Sequence, residues 1–161
     1  MHWYIIDSFN YIDVQQKKSQ ALKAITRSDG FFEKHYPLYP VLPETIQIEM
    51  IAQTGGVLAG ALMDFKKEVV LGKIDSAEFD EIVQPPALLT IDAWAEDVYE
   101  EGTRIRGEVS SAGKIVGKAS ILLIHIDKLQ TKQLASEEAI VFNEDFLNTL
   151  HVRDLLKAAP K

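Results

Sequence analysis

The chain has 161 residues, 47% of them hydrophobic and 25% charged, which is the composition of one ordinary globular domain with a sizeable core. Cysteine is absent, and this excludes disulfides, thiolate nucleophiles and cysteine-ligated metal centres. The net charge of −7, with lysines scattered among acidic residues, argues against nucleic-acid binding, because phosphate neutralisation needs a concentrated basic surface. We therefore expect a single domain that acts on something other than nucleic acid.

The N-terminal third of the sequence predicts a hairpin followed by a loop. Apolar and polar residues alternate over residues 3–14 and again over 19–27, with a polar turn between them, which is typical of two antiparallel strands. The first residues contain no basic region followed by a long apolar stretch, so we expect no secretory signal and a cytoplasmic protein. Residues 28–44 predict an ordered loop, because they contain three prolines that disfavour helix, Pro37, Pro40 and Pro43.

After Pro43, about twenty residues carry apolar side chains on nearly every side, which predicts a helix that is buried all round. Residues 45–63 approach the length of a membrane span. They also contain Gln47, Glu49 and Gln53, and a carboxylate in lipid costs several kcal/mol. We therefore predict a helix in a protein core and no membrane span.

The rest of the chain predicts the structure that surrounds this helix. Four strand-like segments are separated by turn residues; the segments are 68–80, 87–99, 103–110 and 114–127. The last separation, 111–113, is typical of a hairpin turn. Residues 145–158 have helical spacing and predict an appended C-terminal helix. One buried helix with about six antiparallel strands predicts an α+β domain in which a curved sheet wraps the helix.

Two residues near the start of the helix are candidates for acid/base chemistry. His35 lies in the loop that the prolines stiffen, and Glu49 lies just inside the buried helix. A carboxyl group among apolar residues is desolvated, which raises its pKa and suits it to donate a proton near neutral pH. Each residue also has an interpretation without catalysis. In it, His35 is an exposed loop histidine, and Glu49 is a glutamate that hydrogen-bonds a neighbouring strand or subunit.

Residues 35–53, HYPLYPVLPETIQIEMIAQ, resemble the active-site segment of the beta-hydroxyacyl-ACP dehydratases of fatty-acid synthesis, the FabA/FabZ-like enzymes. In that family a His-Phe-Pro-Gly segment with further prolines leads to a glutamate or aspartate in the central helix, and the spacing from His35 to Glu49 matches. Residues 4–7 and 72–85 resemble further family segments. The resemblance covers residues 4–127, so we expect a core over that range and an extension, 128–161, that has no counterpart.

The resemblance implies a hot-dog fold and an obligate dimer in which His35 of one subunit meets Glu49 of the other. It implies dehydration of (3R)-3-hydroxyacyl thioesters, carried by acyl carrier protein or coenzyme A, to trans-2-enoyl thioesters without a cofactor. The histidine would remove a C2 proton, and the glutamic acid would protonate the C3 hydroxyl as it leaves.

The resemblance also implies supporting roles for residues around this pair. Backbone amides of Glu44 and Thr45 would stabilise the charge on the thioester oxygen, and Gln53 would orient the Glu49 carboxyl. The acyl chain would lie in a tunnel between helix and sheet, for which we predict three wall residues, Tyr39, Ile51 and Phe79.

The sequence also departs from the family pattern. Leu38 and Glu44 replace two glycines of the motif, and Pro86 and Ala87 replace a later Gly-Asp pair, so the chain resembles a divergent member of the family. Two alternatives to a dehydratase therefore stay open. One is an acyl thioesterase in which Glu49 activates water, and the other is a catalytically weak or silent acyl-binding subunit that pairs with an active dehydratase.

Other conspicuous residues predict little chemistry. The histidines outside the motif lie far apart with no ligand-like spacing, so we expect no metal site; they are His2, His125 and His151. The helix glycines favour close packing over phosphate binding; they are Gly55, Gly56 and Gly60. An acidic carrier protein would need a local basic patch, for which four residues are candidates, Lys66, Lys67, Arg104 and Arg106.

Overall fold

The computed structural model describes residues 4–33, 35–127 and 142–158. Its strands are β1 (Ser8–Asp13), β2 (Lys18–Ile25), β3 (Lys67–Phe79), β4 (Ala87–Val98), β5 (Gly102–Ser111) and β6 (Lys114–Asp127). The long helix is α1 (Glu44–Leu62), and two short helices follow β6, α2 (Glu144–Thr149) and α3 (Val152–Ala158). Among the described residues of the long proline-containing loop, one 3₁₀ turn is present, Gly30–Phe32.

The six strands form one antiparallel sheet in the order β1-β2-β4-β5-β6-β3. The predicted hairpins are confirmed, since β1 pairs with β2 and β5 pairs with β6 across a two-residue turn. One face of the central strands is apolar and buried, as the alternation of Leu89, Ile91 and Ala93 along β4 illustrates. That face carries the helix.

Helix α1 packs on the buried face of the sheet against strands β2 to β6. From Met50 to Ala61 every residue is buried, which confirms the prediction of a helix enclosed on all sides. Gly55 brings the helix backbone close to β5, because a Cβ there would lie 2.6 Å from Cγ2 of Ile105. Within the described ranges no helix combines the length and apolarity needed to cross a bilayer.

Strand β3 lies at one edge of the sheet and differs from the other strands in its exposure. It starts with buried residues, Glu68 and Val69, but residues 71–78 are all exposed. An edge strand presents unpaired backbone N–H and C=O groups to whatever lies beside it. This chain therefore leaves a long, partly apolar sheet edge open, with Leu71 and Ile74 among its exposed side chains.

The C-terminal helical region is confirmed, with one difference from the sequence prediction. The helix is interrupted at His151, which has a φ of 53°, so α2 and α3 are separate helices. Asn143 caps α2, since its side chain accepts a hydrogen bond from the Phe146 amide at 2.8 Å. The predicted extension also includes residues 128–141 and 159–161, and His2 belongs to the N-terminal segment; these lie outside the described residues.

Candidate active site

His35 lies at a cavity of about 530 Å³ between the proline-containing loop and the start of α1. The loop is held in place by a backbone hydrogen bond from Leu42 to the carbonyl of Val83 at 2.8 Å. The imidazole is half-buried and makes an edge contact with the Tyr36 ring, with centroids 4.8 Å apart. Four of the residues singled out from the sequence line this cavity together, His35, Tyr39, Glu44 and Thr45.

The start of α1 opens onto the same cavity. The residue before the helix is Pro43, which provides no side-chain hydrogen bond to the first-turn amides. The Ile46 amide donates to the Pro43 carbonyl at 3.0 Å, and the amides of the first turn carry the positive end of the helix dipole. The cavity beside His35 therefore offers backbone N–H donors, those of Glu44 and Thr45, where a developing negative charge would be stabilised.

The two residues that replace family glycines fit without backbone strain. Neither Leu38 nor Glu44 has a positive φ, whereas Tyr36 in the same loop has a φ of 47°. The Leu38 side chain is 100% exposed, and Glu44 is also exposed on the first turn of α1. In this chain the loop therefore takes a path that does not require glycine at these positions.

Glu49 lines a second, smaller cavity of about 160 Å³ between α1 and strands β3 and β6. Gln53, one helical turn further on, is 1% exposed and donates a hydrogen bond from Nε2 to Oε1 of Glu49 at 3.0 Å. The Oε1 atom of Gln53 accepts from the backbone N–H of Ile5 at 3.2 Å. The amide is thus held at both ends, and it holds the Glu49 carboxyl in one orientation.

The environment of Glu49 favours its protonated form. Burial raises the pKa of Glu49 above its usual range, because the charged carboxylate loses its hydration. The hydrogen bond that Gln53 donates opposes this rise, since it stabilises the charged form. The balance leaves an oriented carboxylic acid that keeps its proton to a higher pH than an exposed glutamate.

The raised pKa of Glu49 predicts a measurable cost in stability. Below the unfolded-state pKa the carboxyl is protonated in both states, and as pH rises the unfolded chain loses the proton first, so wild-type stability falls through this window. Glu49→Gln keeps the shape and the bond from Gln53 but never ionises. We expect this variant to gain stability relative to wild type as the pH rises above the usual pKa of an exposed glutamate. Urea unfolding over a series of pH values, at constant protein concentration, measures the difference.

Glu44→Gln is the matched control for this experiment. Glu44 is exposed on the first turn of the same helix, where its charge complements the helix dipole. Its replacement should lower stability slightly, by about 0.3–1 kcal/mol, once the carboxylate is ionised. If Glu49→Gln also loses stability relative to wild type over this pH range, the prediction that Glu49 is a buried acid with a raised pKa is wrong.

His35 and Glu49 line different cavities among the described residues. His35 lines the loop cavity, Glu49 lines the smaller cavity, and no described residue lines both. The other predicted residues also separate: Gln53 lies with Glu49, whereas Tyr39 and the helix start lie with His35. The catalytic pairing of His35 with Glu49 stays a prediction.

Two predicted tunnel residues, Ile51 and Phe79, do not line these two cavities. Ile51 is fully buried and packs against Gly107 of β5, and Phe79 is half-buried at the end of β3. Their role as tunnel walls stays a prediction.

Sequence reasoning missed two residues at these cavities. Gln47 is 1% exposed and lines the His35 cavity, and its Oε1 has no hydrogen-bond partner among the described residues. An amide between two isoleucines, Ile46 and Ile48, was the available signal. Phe142 lines the Glu49 cavity from the C-terminal segment, which no local pattern connects to the helix.

The four basic residues considered for carrier binding are all paired with acidic residues. Lys66 and Lys67 each lie 3.7 Å from a carboxylate, those of Asp64 and Glu100. The two arginines of β5 pair with acidic side chains of β3, β4 and β5: Arg104 with Asp75 and Asp97, Arg106 with Glu96 and Glu108. Each of the four basic side chains therefore has an acidic neighbour within the chain.

The contacts of His125 indicate a structural role. It is buried near the end of β6, Nε2 lies 2.9 Å from the Thr103 hydroxyl and Nδ1 lies 3.1 Å from the Glu100 carbonyl. Burial lowers the pKa of His125 below its usual range. A neutral imidazole that joins β5 to the end of β6 accounts for this residue.

Comparison with known proteins identifies the family. The FabA-like domain matches residues 2–120, about three quarters of the chain. The chain belongs to the FabA-like family. A relative in this family is the 3-hydroxyacyl-[acyl-carrier-protein] dehydratase FabZ of Protochlamydia amoebophila, which is 29% identical over 126 residues, 78% of this chain and 82% of the relative.

Solved structures with the same fold include dehydratases and thioesterases. The dehydratase heterocomplex ApeI:P from Xenorhabdus doucetiae matches with a TM-score of 0.64 at 19% identity, covering 81% of this FabA-like chain and 88% of the other. A hypothetical thioesterase from Streptococcus pneumoniae, solved with coenzyme A, matches with a TM-score of 0.60 at 10% identity, covering 76% and 89%. At these identities the likeness concerns the fold alone, and it confirms the predicted hot-dog fold.

Proposed function

We propose that this FabA-like protein dehydrates (3R)-3-hydroxyacyl thioesters to trans-2-enoyl thioesters and water. The observation that carries the proposal is Glu49, a half-buried carboxylic acid with a raised pKa that Gln53 holds in one orientation. A proton donor for a departing hydroxyl needs both properties. The family and its dehydratase relatives point to the same reaction.

In this mechanism the thioester carbonyl acidifies the C2 proton, and the neutral imidazole of His35 removes it. Backbone amides at the start of α1 stabilise the negative charge that develops on the thioester oxygen. Glu49 transfers its proton to the C3 hydroxyl, the C3–O bond breaks, and water leaves as the C2–C3 double bond forms. His35 finishes protonated and Glu49 ionised, and exchange with solvent restores both. The reaction requires no cofactor.

We further propose that the active site is composite, with His35 of one subunit and the partner's Glu49. Two observations support a homodimer. His35 and Glu49 lie at different cavities of one chain, and β3 leaves a sheet edge with residues 71–78 exposed. A second copy related by a two-fold axis would cover this edge on both chains and build two equivalent sites.

The substrate in this proposal is a thioester of acyl carrier protein or coenzyme A, within fatty-acid synthesis or a related acyl-chain synthesis. Its polar end would enter through the His35 cavity, which contains the helix-start amides and Gln47. Lys66, Lys67, Arg104 and Arg106 each have an acidic neighbour, and their role in recognising an acidic carrier stays a prediction.

The deciding experiment is an assay of the purified protein on 3-hydroxyacyl thioesters of both carriers, with enoyl-thioester absorbance and free thiol followed in parallel. We expect the enoyl absorbance to rise without release of thiol. Thiol release without enoyl product would identify a thioesterase. Binding without either reaction, with turnover only after addition of an active homologue, would identify a silent subunit.

A further inference from the structure

The C-terminal segment that follows β6 is anchored to the domain beyond the residues that the FabA-like family matches. The match ends at residue 120, whereas the described segment covers 142–158. Phe146, Leu147 and Val152 of this segment are at most 1% exposed and belong to the hydrophobic core. The Tyr4 hydroxyl adds a hydrogen bond of 2.8 Å to Asp145. The start of this segment is therefore held in a defined place against the domain.

Phe142, the first described residue of the segment, lies directly against α1. A Cβ at Gly56 would collide with its ring, so the glycine provides the space in which the ring lies on the helix. The other side of the ring makes an edge contact with Phe146, with centroids 5.2 Å apart. The Phe142 ring is thus fixed between the helix and α2.

Phe142 also forms part of the cavity that contains Glu49. Glu49, Gln53 and Gly56 follow one another on the same face of α1, and Gly56 lies two helical turns, roughly 10 Å, from Glu49 along the axis. The other walls are apolar side chains from α1, β3 and β6: Ala52, Val69, Val70, Leu71 and Leu123. The cavity therefore has the carboxyl group near one end of this helix face and the aromatic ring further along it.

The cavity beside Glu49 is small and partly open. Its volume is about 160 Å³. An engineered apolar cavity of roughly 150 Å³ holds one benzene molecule, so a space of this size accommodates about six carbon atoms. The substrate carbon that loses its hydroxyl must lie beside Glu49, so the rest of the acyl chain would extend from there toward Phe142.

We propose that Phe142 closes the acyl pocket of this enzyme and restricts it to short and medium acyl chains, up to about six carbons beyond C3. This inference rests on the proposed function in one respect, the position of C3 beside Glu49. The selection itself depends only on the pocket and can be measured by binding. Chains up to octanoyl fit the pocket, whereas decanoyl and longer chains would meet the Phe142 ring.

The test compares wild type with Phe142→Ala and the milder Phe142→Leu over a series of saturated acyl-pantetheine thioesters from butyryl to myristoyl. Affinity is measured by calorimetry, and turnover of the matching 3-hydroxyacyl thioesters is measured in parallel. Each further methylene that the enlarged pocket buries should tighten binding about fourfold, equivalent to about 0.8 kcal/mol. In Phe142→Ala, decanoyl should therefore gain at least about tenfold relative to octanoyl, with a smaller gain in Phe142→Leu.

Phe65→Ala is the matched control. Phe65 packs against Gly60, one turn beyond Gly56 on the same helix, but it does not line the Glu49 cavity. This variant loses a comparable aromatic contact and should keep the wild-type preference for chain length. If Phe142→Ala unfolds, Phe142→Leu retains enough apolar volume to carry the comparison.

The outcomes separate the pocket from the reaction. Identical chain-length profiles in wild type and both Phe142 variants would overturn the inference, even if wild type is an active dehydratase. A wild-type preference for myristoyl, or no binding of any chain, would overturn it equally. If binding stops at octanoyl in wild type and extends to longer chains in the Phe142 variants, the pocket is supported even where no dehydration occurs. In that case the proposed reaction is wrong and the inference about the pocket stands.

Discussion

Replacing His35 with alanine, or Glu49 with glutamine, is expected to lower kcat for dehydration by about 10²–10⁴-fold in each case. His35→Ala removes the base that accepts the C2 proton. Glu49→Gln keeps the shape of the side chain and its contact with Gln53 but cannot donate a carboxyl proton. Enoyl-thioester formation at saturating substrate measures both losses. The variants should still bind substrate, so KM should change much less than kcat.

The same two variants test whether the site is shared between subunits. In a dimer that contains one chain of each variant, one site has lost both groups and the other retains an intact His35 and an intact partner's Glu49. Co-expression with two different affinity tags isolates this mixed dimer. We expect it to recover about half of the wild-type activity, since one of its two symmetric sites is complete. A mixed dimer as inactive as its parents would place both groups on the same subunit.

Glu96→Gln serves as the matched control for the glutamate. Glu96 is exposed on β4 and pairs with Arg106, away from both cavities. Its replacement should leave kcat close to the wild-type value. A loss of activity as large as that in Glu49→Gln would show that the measured effect does not come from the buried acid.

Truncation of Leu58 to alanine is expected to cost about 2–5 kcal/mol in the free energy of unfolding. Leu58 is 0% exposed on α1, where it is part of the core between helix and sheet. Removal of its side chain leaves a cavity that the surrounding side chains and strands cannot fully close. Urea denaturation at one fixed protein concentration measures the difference, because association of subunits would add to stability.

Leu38→Ala makes the same chemical change at a position that is 100% exposed. Its effect on the free energy of unfolding should lie within about 0.5 kcal/mol of zero. Equal effects at the two positions would contradict the burial of α1. The comparison also tests whether the leucine that replaces a family glycine contributes to the stability of the loop.

Local sequence patterns determined most of the secondary structure. Alternation of apolar and polar residues located the strands, and apolar residues on every side of residues 44–62 identified the enclosed helix. These patterns are readable because each reports the environment of neighbouring residues along one element. The motif from His35 to Gln53 likewise carried the family resemblance, since its spacing lies within one loop and the first half of one helix.

Only the tertiary structure decided how the site is assembled. It placed His35 and Glu49 at different cavities and fixed Gln53 through the Ile5 amide. It also brought Phe142 onto Gly56. Each of these contacts joins residues whose positions depend on how the loop, the chain start and the C-terminal segment pack against α1. No periodicity along the chain encodes such packing, because the energy of burial depends on which surfaces meet and not on their order in the sequence.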